Sequence, residues 1–125
     1  RFTFLGQVDD IAGLMQQVEI GAVISVASET ISRVLLEFMY LGKAVVATHI
    51  NAVGEILIPG VTGERIPAGS SRALARALLR LAERPTLRQD YARKAREVYF
   101  REYSETVFYR RYMAVFTSLG TSGRP

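Results

Sequence analysis

Gly21-Ala22-Val23-Ile24-Ser25-Val26, followed by Val34-Leu35-Leu36-Glu37-Phe38-Met39-Tyr40-Leu41-Gly42 and then Ala44-Val45-Val46-Ala47-Thr48, is the stretch on which the fold turns. The two outer runs are apolar without alternation, the pattern of strands buried on both faces. The middle run spaces Val34, Leu35, Phe38, Met39 and Leu41 at helical intervals, and Gly42 stands where a helix closes on a left-handed residue. Strand, helix and strand in that order imply a parallel pair joined by a crossover helix.

The same alternation extends outward. Upstream, Arg1-Phe2-Thr3-Phe4-Leu5-Gly6 reads as a short strand ended by Gly. Asp9 or Asp10 can then cap a helix carrying Ile11, Leu14, Met15 and Val18. Downstream, a loop leads to a short element at Glu55-Ile56-Leu57-Ile58. Pro59-Gly60-Val61-Thr62-Gly63 is turn chemistry, and Glu64-Arg65-Ile66-Pro67 is a last short strand. Beyond it the chain reads as helical. Ser70 or Ser71 caps a helix with Ala73, Leu74, Ala77, Leu78 and Leu81 along one side, and Pro85 ends it. Thr86 caps a second helix, and a third runs from about Ser104 to Ser118. The expected architecture is α/β, a doubly wound parallel sheet with a helical C-terminal third. Residues 1–119 are expected to form one domain and 120–125 a frayed tail.

Composition sets the outer bounds. Of 125 residues, 49% are apolar and 22% charged, which excludes disorder and collagen-like repeats and leaves one soluble globular domain. The absence of Cys removes disulfides, thiolate ligands and a catalytic thiol, and is compatible with a reducing cytosol. The longest apolar run, Gly21 to Ala27 with Ser25 inside it, falls well short of the roughly 20 residues that span a bilayer. Nothing at the start resembles a signal peptide, and residue 1 is not Met, so a start further upstream is expected.

Charge is divided unevenly. Residues 1–71 carry a net of −3 and residues 72–111 a net of +6, so the basic character belongs to the C-terminal third. Arg72, Arg76, Arg80, Arg84 and Arg88 recur every four residues and would draw one stripe along a helix. The stripe reads first as a solvated face, with anionic lipid or another subunit as the alternative. No aromatic residue interleaves it, so nucleic acid is not an expected partner. Eight of the twelve Phe and Tyr residues lie between Tyr91 and Phe116, which suits helix packing first and a face for a second domain otherwise.

The chemistry gathers between Ser28 and Gly63. Glu29 and Glu37 flank a strand-to-helix junction. With Glu29 ending the loop and Glu37 two turns into the helix, the amides of Ile31, Ser32, Arg33 and Val34 lie between two carboxylates. A helix start of that kind attracts phosphate through free N–H groups and the macrodipole. The carboxylates suit hydroxyls at either end, so the spacing fits a sugar, a diphosphate and a ribose in a row. Arg33 is an added cation within reach of the phosphates, or a solvent-facing side chain. His49, the one His, reads as structural or surface, and no metal-ligand set can be built around it.

Residues Glu29 to Thr48, with Glu37, Gly42 and the run Ala44-Val45-Val46-Ala47, resemble the signature of the group 1 retaining glycosyltransferases, which have the GT-B fold. Glu55 with Gly60-Val61-Thr62-Gly63-Glu64-Arg65-Ile66-Pro67-Ala68-Gly69 is similar to the segment that follows in that family. Phe4-Leu5-Gly6-Gln7-Val8-Asp9-Asp10 is close to the phosphatidylinositol mannosyltransferase version. The resemblance runs in register from residue 2 to about 116. It implies that Glu29 holds hydroxyls of the transferred sugar as the catalytic-site carboxylate and that Glu37 holds the ribose hydroxyls. It also implies that the amides at Ile31, Ser32 and Arg33 take the diphosphate and that the backbone from Gly6 to Val8 edges the base. Such enzymes retain anomeric configuration without a protein nucleophile and need no metal or other cofactor.

Three positions depart from the family pattern. Ser32 stands where the family usually has Gly, Asn51-Ala52 replaces a paired Gly, and the Pro-Ser before the first Glu is missing, with Ser25 and Ser28 nearest. The resemblance also implies two strand-helix units upstream, carrying an Arg and a Lys for the diphosphate, and an acceptor-binding N-terminal domain before them. On that footing the sheet is the Rossmann-like half of a GT-B enzyme, incomplete at its N-terminal side. The strand at Arg1 to Leu5 is then expected to shift beside Gly21 to Val26, or the chain to borrow strands by swapping or edge pairing. The function implied is donor binding for retaining transfer of a hexose from a nucleotide-diphosphate sugar to a lipid or polysaccharide. The setting is cytoplasmic, with peripheral contact at the inner membrane face. The alternative is a non-catalytic nucleotide-binding or interaction module on the same scaffold.

Overall fold

The computed structural model describes residues 2–27 and 32–121. Three strands, β1 (Ile20–Val23), β2 (Ala44–Thr48) and β3 (Gly63–Ile66), form a parallel sheet in the order β1-β2-β3. The register sets Ile20 opposite Ala44, and Val45 opposite Gly63. Helix α1 (Ile11–Gln17) precedes β1, and α2 (Arg33–Tyr40) and α3 (Asn51–Ile56) follow β1 and β2 in turn. Helices α4 (Ser71–Glu83), α5 (Pro85–Val98) and α6 (Glu105–Thr121) follow, with a π-helical turn, Tyr99–Tyr103, joining α5 to α6.

β2 shows why its sequence carries no polar alternation. All five of its residues are buried. Val45 and Ala47 pack with Val23, Leu35, Phe38 and Met39 on the α2 face. Ala44 and Val46 pack with Ile66, Ala77, Leu81 and Tyr91 on the α4 face. Helices therefore cover both faces, as a doubly wound sheet requires. α5 belongs to both sides: Tyr91 joins the second cluster, while Ala95 and Val98 join the first. Gly63 sits against β2 so tightly that a Cβ there would run into the Val45 carbonyl oxygen. Gly42 turns the chain out of α2 at φ +64°, as the helix-ending Gly predicts.

Local chemistry accounts for the helix ends. Asp10 Oδ1 accepts from Gly13 N at 2.8 Å and starts α1. Ser70 Oγ accepts from Ala73 N at 3.2 Å and starts α4. α5 begins differently from expectation: Pro85 occupies its first turn and Arg84 is the N-cap, so Thr86 lies inside the helix and does not cap it. The arginine stripe is broken at the same place, because Arg84 and Arg88 leave the axis of α4. Arg80 pairs with Glu64 at 3.3 Å, and Arg88 pairs with Glu19 at 3.2 Å while donating to the Leu81 carbonyl at 3.0 Å. Two members of the stripe thus serve the fold.

Other differences have plain causes. The expected strand at Arg1 to Leu5 does not form over its described residues, Phe2 to Leu5, nor does it shift beside β1, whose one partner among the described residues is β2. Phe2 and Phe4 are 96% and 97% exposed, so strand propensity there has neither a ladder nor a buried face to act on. The stretch expected as a loop after Thr48 is instead α3, whose Val53 and Ile56 are buried against the α2 face. β1 ends at Val23, three residues before the predicted end, and α6 continues to Thr121. The late aromatic residues divide between roles. Tyr91 is core and Tyr99 packs on Tyr40 (5.4 Å between ring centroids), whereas Phe108, Tyr109, Tyr112 and Phe116 are exposed on α6.

Candidate functional site

The start of α2 breaks the usual rule for a serine N-cap. Ser32 is the N-cap residue, yet its side chain makes no cap hydrogen bond. The residue is 1% exposed, and Ser32 Oγ has no hydrogen-bond partner among the described residues. A Ser in this position ordinarily accepts from an amide in the first turn. Ser32 therefore leaves the first-turn N–H groups, at the positive end of the helix dipole, without its side chain as an acceptor. The first turn contains no acidic residue. The helical ladder begins with Leu36 N donating to Ser32 O at 3.3 Å.

Glu37 lies in the second turn, closer to the helix start than expected because α2 begins only at Arg33. Its Oε1 accepts from Arg33 Nε at 3.0 Å, with the two side chains 87% (Arg33) and 36% (Glu37) exposed. The pair forms part of the wall of a hollow of about 210 Å³ completed by Leu36, Tyr40, Tyr99 and Tyr103. The π-helical turn brings the two late tyrosines here, and ring contacts brace it: Tyr99 meets Phe100 at 5.3 Å, with the Arg96 guanidinium 5.5 Å from the Phe100 centroid. Burial pushes the Tyr103 phenol above its ordinary pKa, and the nearby Glu102 charge adds to the rise.

Two further hollows open near the carboxyl ends of the strands. One, about 230 Å³, has walls from Ile24, Val26, Thr48, Ile66, Pro67, Ser70 and Leu74. Its lining is mainly apolar, Thr48 Oγ1 donates to Ser25 O at 2.7 Å, and Ser70 Oγ is the α4 cap. It offers little to an anion. The other is lined by His49, Arg65, Ile66, Pro67 and Ala68. Arg65 Nη1 donates to Gly54 O at 3.1 Å, and His49 N extends the ladder to Ile66 O at 2.7 Å, which gives both residues structural work.

Of the residues singled out from sequence, the structure brings Ser32, Arg33 and Glu37 together on one short helix. Glu29 and Ile31 lie outside the described residues, as does Ser28. Gly6 and Val8 fall in the segment before α1. Gly6 is exposed at φ +67° and Val8 partly buried, and no hydrogen bond or ion pair among the described residues ties them to α2. Sequence reasoning missed Tyr40, Tyr99 and Tyr103 as walls beside Glu37. Tyr40 could have been found from its place one turn beyond Glu37, but nothing local marks the other two, which lie some sixty residues away. Among the described residues no three His, Asp or Glu side chains group as metal ligands, and no helix is long and apolar enough to cross a membrane.

A parallel sheet wound by helices on both faces, with a helix after β1 that its N-cap Ser32 does not cap, defines the class: an α/β domain of the GT-B kind. The family model for group 1 glycosyl transferases matches residues 1–84, and the chain belongs to that family. A phosphatidyl-myo-inositol mannosyltransferase of Mycobacterium leprae is 36% identical over 122 residues, covering 96% of this chain and 32% of that protein. An N-acetyl-alpha-D-glucosaminyl L-malate synthase of Bacillus anthracis is 24% identical, covering 93% of this chain and 30% of that protein. Among solved structures, Anabaena HepE in complex with UDP superposes with a TM-score of 0.88 at 28% identity, over 92% of this chain and 32% of that one. The chain thus spans about a third of the length of the relatives it matches.

Proposed function

We propose that this chain binds the nucleotide-diphosphate sugar of a retaining glycosyltransferase, as the donor half of a two-domain enzyme whose acceptor is held by a second domain. The observation that carries the reading is the start of α2, where the Ser32 side chain, without a partner among the described residues, leaves the first turn without its cap, one turn from Glu37. Phosphate oxygens are the natural acceptors for the amides of such a helix start. Glu37 is assigned to the ribose diol, Glu29 to hydroxyls of the transferred sugar, the amides of Ile31, Ser32 and Arg33 to the diphosphate, and the Gly6 to Val8 backbone to the edge of the base. Helix-start dipoles and cations would stabilise the leaving diphosphate without a metal ion. Family membership supports the reading, as do solved relatives whose complexes contain UDP or UDP-glucose. A hexose donor and a lipid acceptor fit relatives named phosphatidyl-myo-inositol mannosyltransferase, and a polysaccharide acceptor and a setting at the cytoplasmic face of a membrane belong to the same proposal.

Calorimetry tests it. The protein is titrated with UDP and with GDP, to cover pyrimidine and purine donors, and Glu37→Gln is compared. Charge-assisted hydrogen bonds contribute about 1.5–3 kcal/mol, so the substitution is expected to weaken binding about 10- to 100-fold. Heat exchange with neither nucleotide by the folded protein would favour an interaction module instead.

A further inference from the structure

Two local rules are broken at the same spot on α2. Arg33 places a positive charge in the first turn, at the positive end of the helix dipole, where anionic side chains are favoured. Next to it Ser32 buries a hydroxyl with no partner. Conflicts between local preference and fold concentrate at functional positions. Within the described structure the Arg33 charge is answered by Glu37 alone, across one turn at 3.0 Å, and its side chain is 87% exposed. An exposed pair of this kind is weak and readily exchanged.

We infer that the Arg33 guanidinium is an exchangeable charge: it caps Glu37 in the free protein and swings to the donor's 5′-phosphate when Glu37 takes the ribose diol. The inference rests on the nucleotide-diphosphate reading above. The geometry favours the exchange for three reasons. Residues 33 and 37 lie on one flank of the helix, and one turn rises about 5.4 Å, which matches the span of a ribose from its diol to its 5′-phosphate. Arg33 stands at the helix start, beside the N–H groups that would face the same phosphate. The guanidinium has five N–H donors, so it can leave one carboxylate for a doubly bonded phosphate contact without a change of charge state. Arg33 then positions the donor and makes the site prefer phosphorylated nucleosides. The exchange also leaves no carboxylate and phosphate competing for one unshielded position, because the cation always answers whichever anion is free.

The test separates phosphate recognition from ribose recognition. Calorimetry or ligand-observed NMR measures UDP and GDP, and separately uridine and guanosine, against wild type, Arg33→Ala and Arg33→Lys. Circular dichroism checks that each variant is folded. The expected result is about a 10-fold loss of nucleoside diphosphate affinity in Arg33→Ala and partial recovery in Arg33→Lys. Nucleoside affinity in Arg33→Ala should be unchanged or up to about 2-fold tighter, because Glu37 has been freed. The salt dependence of nucleoside diphosphate binding should be shallower in Arg33→Ala. Equal losses for nucleoside and nucleoside diphosphate would overturn the inference, since Arg33 would then act only by holding Glu37 in place. Unchanged diphosphate affinity in Arg33→Ala, with wild type binding normally, overturns it and leaves the donor reading intact. Wild type that binds neither ligand overturns both.

Discussion

Replacing Ser32 by Ala is expected to stabilise the free protein. A serine at a helix N-cap is worth about 0.5–2 kcal/mol when its oxygen accepts an amide of the first turn, but Ser32 makes no such bond. The substitution therefore forfeits no cap. What it removes is a hydroxyl buried without a partner, a burden of about 1–3 kcal/mol. Allowing for the small void left behind, a net gain of about 1 kcal/mol follows, or a rise of roughly 3–6 °C in Tm for a domain of this size. Urea unfolding should show the midpoint moving up with an unchanged slope. Ser32→Gly should gain less, because it removes the same hydroxyl but adds backbone freedom to the unfolded chain. If Ser32→Ala instead loses about 1 kcal/mol, the hydroxyl caps the helix in solution, and the reasoning from an unpartnered side chain is refuted.

The remaining expectations concern the scaffold. Gly63→Ala would drive a methyl group into the Val45 carbonyl, so the two strands must part and stability should fall by about 1–3 kcal/mol in chemical denaturation. The Tyr91 phenol donates to Glu64 at 3.3 Å, and burial, with the Glu64 charge second, holds its pKa above the ordinary tyrosine value of 10.0. Because the folded value exceeds the unfolded one, this contribution is complete below about pH 10 and is lost as pH rises through the folded value. Thermal melts between neutral and strongly alkaline pH should show that decline, and Tyr91→Phe should flatten it.

Much of the fold was legible because β2 and α2 have one dominant demand each. Ala44 to Thr48 is apolar at every position because helices cover both faces, and Gly42 marks the end of α2 through its positive φ. The first segment misled because Phe2, Phe4 and Leu5 carry strand propensity while a ladder is a tertiary property that no single segment encodes. α3 was missed since six residues containing Gly54 give too short a period to distinguish from a loop. At the site, the Ser32–Arg33–Glu37 grouping was readable as spacing on one helix. The side-chain state was not: a free hydroxyl and an Arg33–Glu37 contact depend on rotamers and burial. Tyr99 and Tyr103 reach α2 through the π-helical turn, a departure from helical register that the apolar pattern of α5 does not announce.

The placement of α5 has a consequence for how the molecule comes apart. Its residues follow the last strand in sequence, yet Tyr91 closes one half of the interior while Ala95 and Val98 close the other. The helix is a keystone and not an appendage. Loosening it opens the two halves together, so a substitution at Tyr91, Ala95 or Val98 is felt on both faces of β2, whereas the exposed α6 can fray while the sheet stays intact.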